Sequence, residues 1–322
     1  MTTPAASAAT FLFTVCTPTF NRVRLLPRVY QSLCEQTLRD FEWVVVDDGS
    51  SDDTRAVVQR YVSEQRLALR YLWKPNGGKH TALNLAVREA RGSRFTVVDS
   101  DDWLAPRALE RMSHHWDQLG AEQRARFKGV CGLFAYPSGE VVGDRFPQDV
   151  LDSDDLALDL EYQVEGDKLG FTRIEVMREF PFPEDLSGQV RNSVVYVTES
   201  LVWHRMGAKY QTRFVNEVFG IKEYQPGGIT DRGRLLQARN ARATLAFVQE
   251  VLTCGRRLPA RLAIKYYSNF IRYSLHARAP LVAQRRLAPS NSLFLGCLPL
   301  GYLLYQRDRL LLRRDERPRT AA

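Results

Sequence analysis

No stretch of eighteen or more apolar residues occurs in the 322-residue chain, so the sequence predicts no membrane-crossing helix. Cysteine is scarce. Cys16, Cys34, Cys131, Cys254 and Cys297 are odd in number and show no paired spacing, which argues against a disulfide framework and fits buried thiols in a reducing, cytoplasmic setting. The N-terminal MTTPAASAAT lacks the basic start and apolar core of a signal peptide and reads as a flexible lead-in over residues 1–10. No zinc spacing and no Ser-His-Asp arrangement is visible, and His114-His115 in a helical stretch reads as structural. Acids are missing from one long segment, between Val251 and Arg307. From Val251 onward fourteen Lys/Arg face three Asp/Glu, a balance of +11 in a chain whose net charge is +8. The basic character therefore belongs to the tail. No nucleic-acid recognition motif accompanies it, so nucleic acid is not an expected partner.

Two patterns alternate through the first 120 residues. FLFTVC (11–16), FEWVVV (41–46), LRYLW (69–73) and RFTVV (94–98) are short runs rich in β-branched and aromatic residues, which predict strands. Between them lie helical stretches near 23–36, 53–64, 79–91 and 105–119; Val23, Leu26, Val29, Tyr30 and Leu33 recur at helical spacing. This alternation predicts an α/β fold with βαβ units and a parallel sheet, which binds ligands at the carboxyl ends of its strands.

Two acidic clusters stand at those ends. Asp47-Asp48-Gly49-Ser50-Ser51-Asp52 follows the second strand and Asp99-Ser100-Asp101-Asp102 follows the fourth. Three carboxylates in four residues repel one another unless a cation or donors offset them. Mg²⁺ or Mn²⁺ takes oxygen ligands, with carboxylates sharing it with phosphates and water, so an Asp-x-Asp turn suits a metal held against a diphosphate. The structural alternative is capping, by Ser50 and Asp52 for the helix from Asp53 and by Asp102 for one near Pro106.

The order Thr17-Pro18-Thr19-Phe20-Asn21-Arg22, then DDGSSD (47–52), NGGKHTALN (76–84) and DSDD (99–102), resembles the inverting family 2 glycosyltransferases. The resemblance is good over residues 11 to about 120, weakens through 160–230 and stops near 235. It implies a GT-A fold: a Rossmann-like, mostly parallel central sheet flanked by helices. Residues 11–128 would be the nucleotide-sugar-binding half and 129–235 the acceptor-binding half of one domain, with a helical, basic C-terminal region over 236–322. It also implies roles. Thr17, Pro18 and Phe20 would line the base pocket, Asp48 would accept from the nucleobase edge, Lys79 would lie near the diphosphate with His80, and Asp99 would contact ribose. Asp99 and Asp101 would be the Asp-x-Asp motif that contacts ribose and metal, or the pair Asp101 and Asp102 would hold Mg²⁺ or Mn²⁺, and Trp103 would wall the donor sugar. The donor would be a nucleotide sugar, a UDP-sugar being favoured.

An inverting displacement needs a base for the acceptor hydroxyl. Glu199 in VYVTESLVWHRM is the best candidate, because the family places an acidic pair there with Arg six residues on, here Arg205. The family has Asp more often, and Thr198 stands where the first acid would be. Asp167 and Asp231 are lesser candidates, and Trp203 and His204 could line the acceptor cleft. In the tail, residues 258–275 form an amphipathic helix with Arg261, Lys265 and Arg272 on one face. LFLGCLPLGYLLY (293–305), interrupted by Pro299, is too short to span a bilayer. It could lie in the interface, with Arg307, Arg309, Arg313 and Arg314 reaching anionic head groups.

The expected function is transfer of a sugar to a glycan or lipid-linked acceptor of a surface polysaccharide, in the cytoplasm or peripherally on the cytoplasmic face of the membrane. Two other readings stay open: a sugar-1-phosphate nucleotidyltransferase, which would carry an early Gly-rich phosphate loop, and a non-catalytic module, which would tolerate loss of the carboxylates.

Overall fold

The computed structural model describes residues 10–186, 196–224 and 229–315; residues 1–9 of the expected lead-in and the side chains of Asp231 and Arg314 lie outside the described residues. The chain forms two compact units, Met1–Pro181 with Lys209–Tyr224, and Phe182–Ala208 with Gln225–Ala322. Glu199, Trp203 and His204 thus group with the C-terminal helices, and the division differs from the junctions expected near 128 and 235.

The first unit is built on one sheet. Strands β1 (Phe11–Thr19), β2 (Phe41–Asp47), β3 (Ala68–Trp73) and β4 (Gly92–Val97) pair in parallel in the order β3-β2-β1-β4. Every residue of β2 is buried, as expected where crossover helices cover both faces of a parallel sheet. Those helices are α1 (Leu26–Cys34), α2 (Thr54–Ser63) and α3 (Lys79–Glu89). Leu26, Val29, Tyr30 and Leu33 form the buried face of α1, at the spacing that predicted it. Tyr30 stacks on Tyr61 at 3.9 Å and on Trp43 at 6.0 Å, tying α1 and α2 to β2.

Beyond β4 the sheet turns mixed. It runs on through β8 (Lys168–Arg173), β6 (Phe127–Ala135), β9 (Gln211–Lys222) and β5 (Asp102–Leu104), with β7 (Val150–Ser153) pairing β9 off this path. Helices α4 (Ala108–Asp117), α5 (Ala121–Arg126), α6 (Asp155–Ala157, continued by a π turn) and α7 (Ile174–Glu179) complete the unit. His115 and Arg111 of α4 both bond Glu217, so this histidine is structural. Asp102 begins β5 and does not cap α4; Arg107 is the N-cap residue there.

The second unit is helical: α8 (Ser200–Gly207), α9 (Ile229–Arg239), α10 (Ala241–Thr253), α11 (Ala260–His276), α12 (Leu281–Leu287) and α13 (Asn291–Asp315). Pro299 does not interrupt its segment: α13 runs through it. Arg272 does not join Arg261 and Lys265 at the surface either. It is buried and donates to Asp308 of α13, which His276 also contacts. Burial disfavours the Asp308 carboxylate, but these two partners outweigh it and hold the carboxyl below its usual range.

Asp308→Ala leaves Arg272 buried without its counter-charge and should cost about 3–5 kcal/mol of stability in urea titrations. Because the folded-state pKa is lowered, the wild-type contribution is complete above about pH 4 and is lost as pH falls through the folded value. Equal stability of variant and wild type would contradict the pairing.

Candidate functional site

Sheet order decides where the chemistry gathers. β1 lies between β2 and β4, so the carboxyl ends of three parallel strands share one edge, and the chain reverses its direction of travel across the sheet between β1 and β4. That is the switch point at which open α/β sheets bind ligands. Register places Asp47 beside Thr19 and Val97 beside Cys16, which brings both acidic turns to that edge.

The DDGSSD turn is held from several sides. Asp47 accepts from the Ser50 N–H at 2.7 Å and the Tyr71 hydroxyl at 2.5 Å. Burial and that bond push the Tyr71 phenol up, so it remains a donor. Asn21, at φ 53°, accepts from the Ser51 N–H and donates its own N–H to Ser50 Oγ. Asp52 accepts from Thr54 at the start of α2 and from the Val23 N–H, but Asp53 is the N-cap residue there, and Ser50 serves the β1 loop and not the helix.

Asp48 is buried, and four donors converge on its carboxylate: Lys74 Nζ at 2.5 Å, Asn76 Nδ2 at 3.2 Å and the N–H groups of Gly77 and Gly78 at 2.9 and 2.7 Å. A carboxylate offers about four acceptor positions, so Asp48 is saturated within the chain and latches the 74–78 loop to the end of β2. Two glycines make this approach possible. Gly49 has φ +85° and a Cβ there would sit 2.8 Å from the Asn76 nitrogen; Gly78, at φ 92°, turns the loop into α3.

The second turn holds the densest charge. Asp99, Asp101 and Asp102 bring one oxygen each within 4.8 Å of one another. A different cation meets each carboxylate: Lys79 pairs with Asp99 at 2.6 Å, Arg22 with Asp101 at 2.5 Å and Lys222 with Asp102 at 3.0 Å. Burial opposes ionisation of Asp99, but Lys79 beside it wins and holds that carboxyl below the usual range. Asp102 behaves oppositely. Burial, with Asp99 beside it, outweighs Lys222 and pushes the carboxyl up to about 7. Lys222 is itself held charged: burial works against it, but Asp102 and Asp167 more than offset that. Asp102 Oδ1 is buried and has no hydrogen-bond partner. An all-oxygen donor set with one buried, unsatisfied carboxylate oxygen fits a hard divalent ion.

Other expected residues fall as follows. Thr17 is buried and accepts from Trp43 Nε1 at 3.0 Å; Pro18 is buried and Phe20 is exposed at the same strand end. His80 is buried in the first turn of α3. Trp103, in β5, carries the Arg28 guanidinium 4.8 Å over its ring. Asp167 is engaged by Lys222 at 3.3 Å and by the Tyr224 hydroxyl. In the second unit Glu199 is the N-cap residue of α8, partly buried; Trp203 packs edge-on against Phe182 and the buried His204 lies against Phe247. Sequence reasoning assigned no role to Arg22, Lys74 or Lys222. Arg22 stands inside a quoted motif and Lys74 two residues before one, whereas Lys222 lies 120 residues from its carboxylate partner and has no local signal.

Comparison with known proteins agrees with this architecture. Residues 14–157 match the family described as Glycosyl transferase family 2. The chain is 33% identical over 127 residues to the poly(ribitol-phosphate) beta-N-acetylglucosaminyltransferase TarS of Staphylococcus aureus, covering 37% of this chain and 22% of that one. It is 38% identical over 122 residues to the GalNAc(5)-diNAcBac-PP-undecaprenol beta-1,3-glucosyltransferase of Campylobacter jejuni, covering 36% and 37%. Well under two thirds of each relative is thus spanned. In structure, TarS 1–349 in complex with UDP-GlcNAc superposes with a TM-score of 0.59 at 18% identity, over 93% of this chain and 83% of that one. The mannosyltransferase PcManGT of Pyrobaculum calidifontis, in complex with GDP-Man and Mn²⁺, gives 0.56 at 18%, over 92% and 88%. Residues 14–157 thus carry a domain that matches glycosyltransferase family 2, and the chain has the GT-A fold.

Proposed function

We propose that this protein transfers a sugar from a nucleotide-diphosphate sugar, a UDP-sugar being favoured, to a glycan or lipid-linked acceptor in surface polysaccharide synthesis, by a single inverting displacement. The observation that carries this is the convergence of Asp99, Asp101 and Asp102 with three cations at the switch point of a family 2 domain. The names of the relatives support the acceptor class, since they act on a poly(ribitol-phosphate) and on an undecaprenol-linked glycan. Work on a lipid-linked acceptor would place the protein at the cytoplasmic face of a membrane.

In this reading Thr17, Pro18 and Phe20 bound the nucleobase. Asp48 reads the base edge by exchanging one of its present donors, and Lys74 is the one that can leave without breaking the loop backbone. Asp99 faces the ribose. Lys79 and Arg22, each about one-third exposed, leave their carboxylates for the pyrophosphate oxygens. His80 and Trp103 line the donor sugar. Asp101 and Asp102 would hold Mg²⁺ or Mn²⁺, which when bound neutralises charge developing on the leaving diphosphate. Glu199 takes the proton of the acceptor hydroxyl, with Trp203 and His204 beside the acceptor. Asp167 is less suited to that task, because Lys222 and Tyr224 already engage it.

Asp101→Ala should remove the Mn²⁺-dependent part of UDP binding in calorimetry and lower transfer by at least about a hundredfold. Transfer at the wild-type rate in this variant would end the metal assignment. Glu199→Gln should bind UDP normally and lose about 10²–10⁴-fold in turnover. Unchanged turnover would move the base to another residue.

A further inference from the structure

Helix α13 has one face that its own unit does not cover. Its inward residues are Phe294, Cys297, Gly301 and Asp308, at a spacing of three, four and seven. Gly301 sets the approach to α11: a Cβ there would lie 2.7 Å from the Ile271 Cβ. Because a helix repeats every 3.6 residues, this contact turns the opposite residues outward. There Leu295, Tyr302, Leu303 and Leu310 are 46, 51, 64 and 59% exposed, and they recur at seven or eight residues along one stripe.

The outward charges on this helix are mostly basic, and its exposed acid, Asp315, is paired. Arg307, Arg309 and Arg313 are exposed. Its acids are spoken for: Asp308 points inward to Arg272 and His276 and is also met by Arg307 at 3.5 Å, and Asp315 pairs with Arg239 at 2.8 Å. A stripe of leucines and a tyrosine beside exposed arginines matches a surface that is apolar in depth and anionic at its rim. A second copy of the chain fits less well. An isologous interface sets this stripe against itself, and α13 offers the arginines of a second copy no unpaired acid. No helix among the described residues is long and apolar enough to cross a membrane, so the fitting geometry is a helix lying in the interface.

We propose that α13 docks flat on an anionic lipid surface, with Leu295, Leu303 and Leu310 in the acyl boundary and the arginines among the head groups. This goes beyond the transferase reading and rests only on the exposure and charge of α13.

Flotation of the full chain with vesicles tests it. Vesicles of phosphatidylcholine mixed with phosphatidylglycerol should carry the protein, phosphatidylcholine alone should not, and added salt should weaken the binding. Arg307→Ser/Arg309→Ser/Arg313→Ser should weaken partitioning by roughly a hundredfold, since each arginine near an anionic surface is worth about fivefold. Leu303→Glu/Leu310→Glu should abolish it. Both variants change exposed residues, and UDP binding measured in each separates a lost surface from a lost donor site. Absence of binding to anionic vesicles, or flotation of both variants like wild type, would overturn the proposal. So would a dimer in light scattering that Leu303→Glu/Leu310→Glu dissociates, because the second copy would then occupy the face.

Discussion

Like charges crowd the end of β4. Asp99, Asp101 and Asp102 cannot all remain ionised with oxygens within 4.8 Å of one another unless cations or protons answer them. The chain supplies both. Lys79 opens α3, Arg22 comes from the loop that follows β1, Lys222 comes from the far end of β9, and Asp102 sits close to sharing a proton at neutral pH. Much of the first unit can be understood as bringing these groups to one edge. The parallel β2-β1-β4 order aligns the strand ends, and the mixed extension through β8, β6 and β9 returns Lys222 to β5.

The three cations differ in how firmly they are held. Arg22 and Lys79 are each about one-third exposed, whereas Lys222 lies between Asp102 and Asp167 with the rings of Phe134 and Tyr224 beneath it. In the proposed reading the two more exposed partners exchange to a phosphate, and Lys222 stays as fixed charge. The same division appears at Asp48, where Lys74 can depart while the Gly77 and Gly78 amides keep the loop in place. A site arranged this way has a defined set of contacts to exchange on binding, and Asp102 Oδ1 is the oxygen left without a hydrogen-bond partner.

The parallel half was legible in the sequence because its signals are local. β-branched runs, the helical spacing of α1 and acidic turns at strand ends each occupy a few residues, and the DDGSSD and DSDD turns lie where that reading put them. Long-range partners were not legible. Nothing near Lys222 marks it as the counter-ion of Asp102, and a helical wheel placed Arg272 with the exposed cations because it could not foresee Asp308 reaching it from α13. Pro299 read as a break, yet the packing of α13 on α11 carries the helix through it. The saturation of Asp48 was hidden for a similar reason, since two of its donors are backbone amides that carry no side-chain signal.

A crystal structure of the protein grown with UDP and Mn²⁺ tests the central claim most directly. The account predicts Mn²⁺ coordinated by Asp101 or Asp102 and by the pyrophosphate, with Arg22 or Lys79 moved from its carboxylate to a phosphate oxygen. UDP bound at this edge with all three ion pairs intact, and Mn²⁺ absent from the carboxylates, would contradict it.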